Sequence, residues 1–314
     1  MAGQQRATLT WHPLMIIKFD LPPIQEDFEE DDIRTMTVGR RQLRTEWPKV
    51  LYAPSSPEKD WCAILPFPNT YQNAFSCMCD ADVYAHHAPT GKLCLYLRGT
   101  AGDAEPPDEV TEWIETIGKP VVMKDFLALS FALDYDKEGG DPNKAQTEVG
   151  GLRALAKPYG ASAATAETRG AAKKLADRCV EFLDGMTCYK SGNCIVAMPP
   201  SDPTKQYNLP KYLAKRISEA KGLENLTEHV QTIEPRDSIK GVALKAKFDT
   251  LLGTIDVAKD VFKGRRVILV DDLYQSGTSM NYCGLMLLRA GAKKIFGLAS
   301  EKTCRNDDNV GGRM

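Results

Sequence analysis

The 314-residue chain has no apolar run approaching the length of a membrane span, and its first residues, MAGQQRATLTWHP, lack the charged-then-apolar pattern of a secretory signal. Both absences predict a cytoplasmic protein. There is no C-x-x-C pair, and the nine cysteines are odd in number and irregularly spaced. That argues for reduced thiols rather than a disulfide framework. Cys62, Cys77, Cys79, His86, His87 and Cys94 invite a zinc reading, but Cys77-x-Cys79 is a poor chelating step. Neither G-x-x-x-x-G-K-[ST] nor G-x-G-x-x-G occurs, so two familiar nucleotide-binding loops are ruled out. Nor is there a basic stripe with interleaved aromatics, so nucleic acid is not indicated directly.

Net charge is also small, −2, yet it is unevenly spread. Residues 1–125 hold 12 Lys/Arg against 19 Asp/Glu, net −7, whereas residues 126–314 hold 28 against 23, net +5. A polyanionic substrate would favour the second part. The length predicts two domains, and 43% hydrophobic with 26% charged residues suits a soluble protein with a large core. We divide the chain into an N-terminal α+β region, 1–125, and an α/β domain, 126–314.

The N-terminal region opens with an expected strand at Leu14–Phe19 and an acidic run, Glu26–Asp32, that reads as a solvated loop. Leu93–Leu97 reads as a strand and Glu109–Ile117 as a short helix. From Phe126 the pattern alternates. Gly151–Tyr159 is an expected helix broken at Pro158, and Ala171–Asp184 an amphipathic helix with Leu175, Cys179, Phe182 and Leu183 on one face. Cys194–Met198 is an expected buried strand, Leu209–Ala220 a helix, and His229–Ile233 another strand. Strands alternating with helices predict a doubly wound, mostly parallel sheet.

The chain is organised around Arg265–Ser279, RRVILVDDLYQSGTS. Val267–Val270 suit a strand buried on both faces, followed by two adjacent acids, Asp271 and Asp272. Ser276-Gly277-Thr278-Ser279 then opens a helix that ends at Gly291, placed as a left-handed cap, before a strand at Lys293–Ala299. In such a unit the ligand binds at the carboxyl ends of the strands, where the two acids sit. A small-residue turn leading into a helix N-terminus offers N–H groups to a phosphate. Carboxylates beside that turn fit the hydroxyl groups of a ribose, with or without a divalent cation. A ribose 5-phosphate site is the reading that remains.

VILVDDLYQSGTS resembles the phosphoribosyl-diphosphate (PRPP) motif of type I phosphoribosyltransferases. The resemblance implies that Asp271 and Asp272 contact the ribose hydroxyls, as catalytic residues. It also implies that Gln275, Ser276, Gly277, Thr278 and Ser279 wrap the 5-phosphate, and that Mg²⁺ accompanies PRPP, held through the ligand, with Asp271 and Asp272 as the candidate side-chain ligands. The Pro-rich loop from Met198 to Lys205 leaves a second parallel strand, so it reaches the same sheet edge as Asp271. The resemblance makes Pro199, Pro200, Ser201 and Lys205 the pyrophosphate loop; a rigid proline turn is the plainer reading of the same residues. Arg236, Lys240 and Lys245 would belong to a flexible basic loop able to cover the site; a solvated surface helix is the plainer reading of that stretch.

The order of elements over about 126–305 is similar to the competence-protein ComF-like branch of that family. It rests on Lys157-Pro158-Tyr159, Pro199-Pro200, Arg236-Asp237-Ser238 and Asp271-Asp272. The chain departs from the branch in the Pro158 that splits the Lys-Tyr pair and in lacking the four-cysteine zinc module. The function implied is transfer of a phosphoribosyl group from PRPP to an unidentified nitrogen nucleophile with release of pyrophosphate. The alternative is a sensor or effector subunit in a larger assembly, such as an antiviral defence system. There the acidic N-terminal region would dock a protein partner or a second copy.

Overall fold

The computed structural model describes residues 27–36, 42–43, 45–46, 49–88, 90–157, 164–204, 207–236, 239 and 242–304, with the backbone alone at 42, 43, 86, 244 and 245. The expected strand at Leu14–Phe19, and Lys205 and Lys240, lie outside the described residues. So does the side chain of Lys245.

In chain order the elements begin with α1 (Glu30–Arg34), β1 (Gln42–Leu43), β2 (Leu51–Tyr52), β3 (Cys62–Leu65), α2 (Asn69–Met78), β4 (Val83–His87) and β5 (Leu93–Leu97). Next come α3 (Asp108–Gly118), β6 (Val121–Met123), β7 (Leu129–Tyr135), α4 (Glu148–Ala156), α5 (Ala166–Gly185) and β8 (Cys194–Ala197). Then follow α6 (Leu209–Lys221), β9 (Glu224–Asn225), β10 (Val230–Thr232), α7 (Leu244–Leu251), β11 (Ile255–Val257), β12 (Arg266–Tyr274), α8 (Thr278–Arg289) and β13 (Lys294–Lys302).

The main sheet has seven strands in the order β1-β6-β7-β13-β12-β8-β9. Its five strands from β7 to β9 are parallel, and β6 and β1 add an antiparallel edge. Val267, Ile268, Leu269 and Val270 are at most 2% exposed, as a strand covered on both faces requires. Alternate residues enter different cores. Ile268 and Val270 join a cluster with α4, α5 and α6; Val267 and Leu269 join one with α1, α7 and α8. Helices therefore cover both faces: the fold is a doubly wound, mostly parallel α/β sheet. A four-stranded antiparallel sheet, β2-β3-β5-β4, with α2 and α3 forms the additional N-terminal α+β part. Val121–Met123, from the same N-terminal part, cross into the main sheet as β6.

Three expectations change. The strand expected at His229–Ile233 does not continue the parallel series. Val230–Thr232 pairs antiparallel with Ile255–Val257 in a separate two-stranded ribbon. The main sheet ends instead on β9, because Glu224 and Asn225 pair beside β8 immediately after α6. The described part of the acidic run is not a solvated loop. Glu30–Arg34 is helical, with acids in its first turn where the helix dipole favours them, and Phe28 and Ile33 are buried at 4% and 1%. Glu29 and Glu30 pair with Arg289 of α8. Finally, the central strand does not stop before the acids: β12 runs on to Tyr274, in register with β13 through Leu273↔Glu301 and Tyr274↔Lys302.

Candidate active site

β12 and β8 are parallel neighbours, Val270 opposite Ala197, so the chain leaves both at the same sheet edge. The loops that follow them face each other across a cavity of about 220 Å³. Asp271, Asp272, Gln275, Ser276, Gly277, Ser279, Pro199, Pro200, Ser201 and Arg236 all line it. Of the residues expected in the ribose-phosphate, pyrophosphate and flexible loops whose side chains are described, only Thr278 is absent from the lining; it is fully buried at 0% exposure.

The turn after β12 is tightly braced. Gly277 has φ +80°, a conformation that favours glycine, and a Cβ there would lie 2.1 Å from the Tyr274 hydroxyl. That hydroxyl donates to Asp125 at 3.0 Å, and Asp125 also accepts the Leu127 N–H at 3.1 Å. The Ser276 and Thr278 hydroxyls are 3.0 Å apart inside the turn. Asn281 donates to the Gly277 carbonyl at 2.8 Å and accepts the Phe126 N–H at 3.0 Å. Two hydroxyls thus hold the loop's shape, while Gln275, Gly277 and Ser279 face the cavity at the N-terminus of α8. Such a helix start, with its unpaired N–H groups and partial positive charge, suits an anion. Gly291 takes φ +94° at the other end of α8, the left-handed cap expected there.

The two adjacent aspartates differ sharply. Asp272 is 3% exposed and accepts from Arg153 Nε at 3.2 Å, Arg153 Nη2 at 3.1 Å and Lys157 Nζ at 2.7 and 2.9 Å. Arg153 also reaches Glu301 at 3.5 Å. Burial alone would push the Asp272 carboxyl up, but Lys157 and Arg153 together hold it below its ordinary value. Asp271 is half-buried, and its Oδ1 accepts the Asp272 N–H at 2.8 Å. No side-chain cation pairs with it among the described residues. Burial and then the neighbouring Asp272 charge push its carboxyl up to about 7, against the pull of Lys157. Two cations thus hold Asp272 as an anion, while Asp271 stays without a cationic side-chain partner among the described residues.

On the opposite wall the Pro200 carbonyl accepts the Thr232 hydroxyl at 2.5 Å, and the Ser201 carbonyl accepts the Arg236 N–H at 2.9 Å. The ribbon β10–β11 and the stretch after it are thereby tied to the loop after β8. The basic stretch contains a helix, α7, with one face in solvent (Ala246, Asp249, Thr250) and Lys247, Phe248 and Leu251 buried on the other.

Arg153 and Tyr207 line the cavity and were not singled out from sequence. Arg153 lies four residues before Lys157, the helical spacing that puts two side chains on one face, so a signal existed. Tyr207 had none beyond its place before the Asn208 cap of α6. Among the described residues, no three His, Cys, Asp or Glu side chains converge as a metal site. No helix among them is long and apolar enough to cross a membrane.

No protein-family profile and no curated protein sequence matches the chain. Among solved structures it is similar to a mutant hypoxanthine phosphoribosyltransferase from Trypanosoma cruzi in a ternary substrates complex. Identity is 12% and the TM-score 0.25, over 41% of this chain and 63% of that one, so less than two thirds of the relative is spanned. It is also similar to a phosphoribosylpyrophosphate synthetase from Mycobacterium smegmatis, at 11% identity and TM-score 0.27 over 76% of this chain and 79% of that one. At those values the fold assignment rests on the strand order and register above, not on either likeness.

Proposed function

We propose that this chain binds PRPP as a type I phosphoribosyltransferase and transfers the phosphoribosyl group to a nitrogen nucleophile, releasing pyrophosphate. One observation carries the reading. A half-buried carboxylate without a cationic side-chain partner among the described residues, Asp271, stands where the central strand β12 runs past the end of β8, in the same cavity as a glycine turn and a helix N-terminus. That combination suits a sugar hydroxyl next to a phosphate. The sequence motif supports the same reading independently. Lys157, Pro199-Pro200, Arg236 and Asp271-Asp272 fall in the order of the ComF-like branch, and that branch is part of the proposal.

In this reading Asp271 holds the ribose and stabilises positive charge growing at its anomeric carbon. The 275–279 turn fixes the 5-phosphate, the 199–201 loop faces the leaving pyrophosphate, and Arg236 adds positive charge beside it. Rate enhancement then comes from positioning and charge stabilisation. The donor set fits magnesium, which takes oxygen ligands and is commonly held by one or two carboxylates plus substrate phosphates. Asp271 would contribute the carboxylate, and the ion would neutralise phosphate charge. The sensor reading uses the same pocket without turnover, and no separate observation favours it.

Calorimetric titration of PRPP with and without Mg²⁺ tests the proposal. Wild type should bind in a Mg²⁺-dependent way, and Asp271→Asn should lose that binding while staying folded. A pyrophosphate-release screen over bases and amines follows. Folded wild type that binds no PRPP refutes the proposal, and binding without release across the screen favours the sensor reading.

A further inference from the structure

Two polar side-chain atoms belonging to residues of the cavity wall lack a hydrogen-bond partner among the described residues: the Tyr207 hydroxyl and Arg236 Nε, both shielded from solvent. A buried donor left unpaired costs roughly 1–3 kcal/mol, and more when charged, so its presence calls for an explanation. Packing alone does not give one, since phenylalanine would fill the space of Tyr207 without the penalty. Each residue is fixed in place. Tyr207 precedes α6, whose start is capped by Asn208 accepting the Lys211 N–H at 2.8 Å. Arg236 is held by its N–H to the Ser201 carbonyl at 2.9 Å. Burial pushes the phenol up to about 12, with Tyr212 and Asp272 adding to it, so the hydroxyl keeps its proton and can donate throughout the neutral range. Burial also lowers the Arg236 guanidinium from its usual value, against the pull of Asp271.

We propose that Tyr207 is a ligand-binding residue of this site, donating with Arg236 to the diphosphate oxygens of a phosphorylated ligand. The inference rests on the transferase reading above. Both donors are shielded from solvent and unpaired among the described residues. A ligand oxygen that reaches them recovers the missing bonds, so part of the binding affinity is held ready in the empty fold. The loop after β8, which Arg236 bonds, is the side of the cavity where a diphosphate would lie.

The decisive signature is an opposition of sign between stability and affinity. Tyr207→Phe in the full chain removes an unsatisfied hydroxyl, so the urea midpoint of the ligand-free protein should hold or rise. Dissociation constants for PRPP and for inorganic pyrophosphate, each with Mg²⁺, should rise by about tenfold, the effect of one lost hydrogen bond. Ribose 5-phosphate, lacking the diphosphate, should bind the variant and the wild type alike. Arg236→Met should weaken pyrophosphate in the same way. A Tyr207→Phe protein that binds pyrophosphate as wild type does, or whose unfolding midpoint falls, overturns the inference and leaves the transferase reading intact. Wild type that binds none of the three probes overturns both.

Discussion

Replacing Asp271 by Asn should stabilise the protein at alkaline pH and leave it nearly unchanged at acid pH. Asp271 is squeezed between burial and the fixed negative charge of Asp272, and its carboxyl rises from 3.8 to about 7. For an acid raised on folding, the folded protein keeps a proton that the unfolded chain has already released. Its contribution is therefore full below about pH 4, is lost as pH climbs towards 7, and is gone above it. One unit corresponds to about 1.4 kcal/mol, so a rise of about three units sets a ceiling of about 4 kcal/mol. Asp271 is only half-buried, and solvent reaching the carboxylate reduces this to about 1–2 kcal/mol. Asparagine is nearly isosteric, carries no charge, and its Oδ1 can still accept the Asp272 N–H. Urea unfolding of wild type and variant at pH 5 and pH 8 isolates the term, because other titrating groups cancel in the difference. About one of the three units is already lost by pH 5, so the variant should gain about 1 kcal/mol more at pH 8 than at pH 5. A gain equal at both pH values, or larger at pH 5, would refute the assignment of Asp271 as the strained carboxylate.

Asp272→Asn should act in the opposite direction. It strips Arg153, 9% exposed at its side chain, and Lys157 of their shared partner, and breaking a buried pair in this way costs roughly 3 kcal/mol, readable as a fall in urea midpoint. Gly277→Ala forces a side chain onto a left-handed backbone and into the Tyr274 ring; it should lower stability by more than about 1 kcal/mol in thermal unfolding and abolish PRPP binding. Arg289→Ala, in contrast, removes exposed pairs to Glu29 and Glu30 and should change stability by less than about 1 kcal/mol.

How much of this was readable in advance follows from the range of the interactions. The β12 strand and α8 declared themselves because four consecutive aliphatic residues and a 3.6-residue period are local signals, and Gly291 marked the helix end for the same reason. β10 was legible as a strand, inside the expected His229–Ile233, but its antiparallel pairing was not, since the partner strand β11 lies beyond α7. The acidic run looked like solvent-exposed loop by composition, whereas its helix depends on Phe28, Ile33 and an arginine 259 residues further on. The same limit applies to the site. Adjacency of Asp271 and Asp272 is visible in the sequence and suggests a matched pair. Their inequivalence is not visible, because Arg153 and Lys157 are separated from Asp272 by 119 and 115 residues. Once those cations are in place the neighbours divide: one carboxylate is spent on holding α4 against the sheet, and the other is left under strain at the cavity wall. Mutating the first should lower stability, whereas mutating the second should raise it and cost binding, so a measurement of activity alone would confuse two residues that do different things.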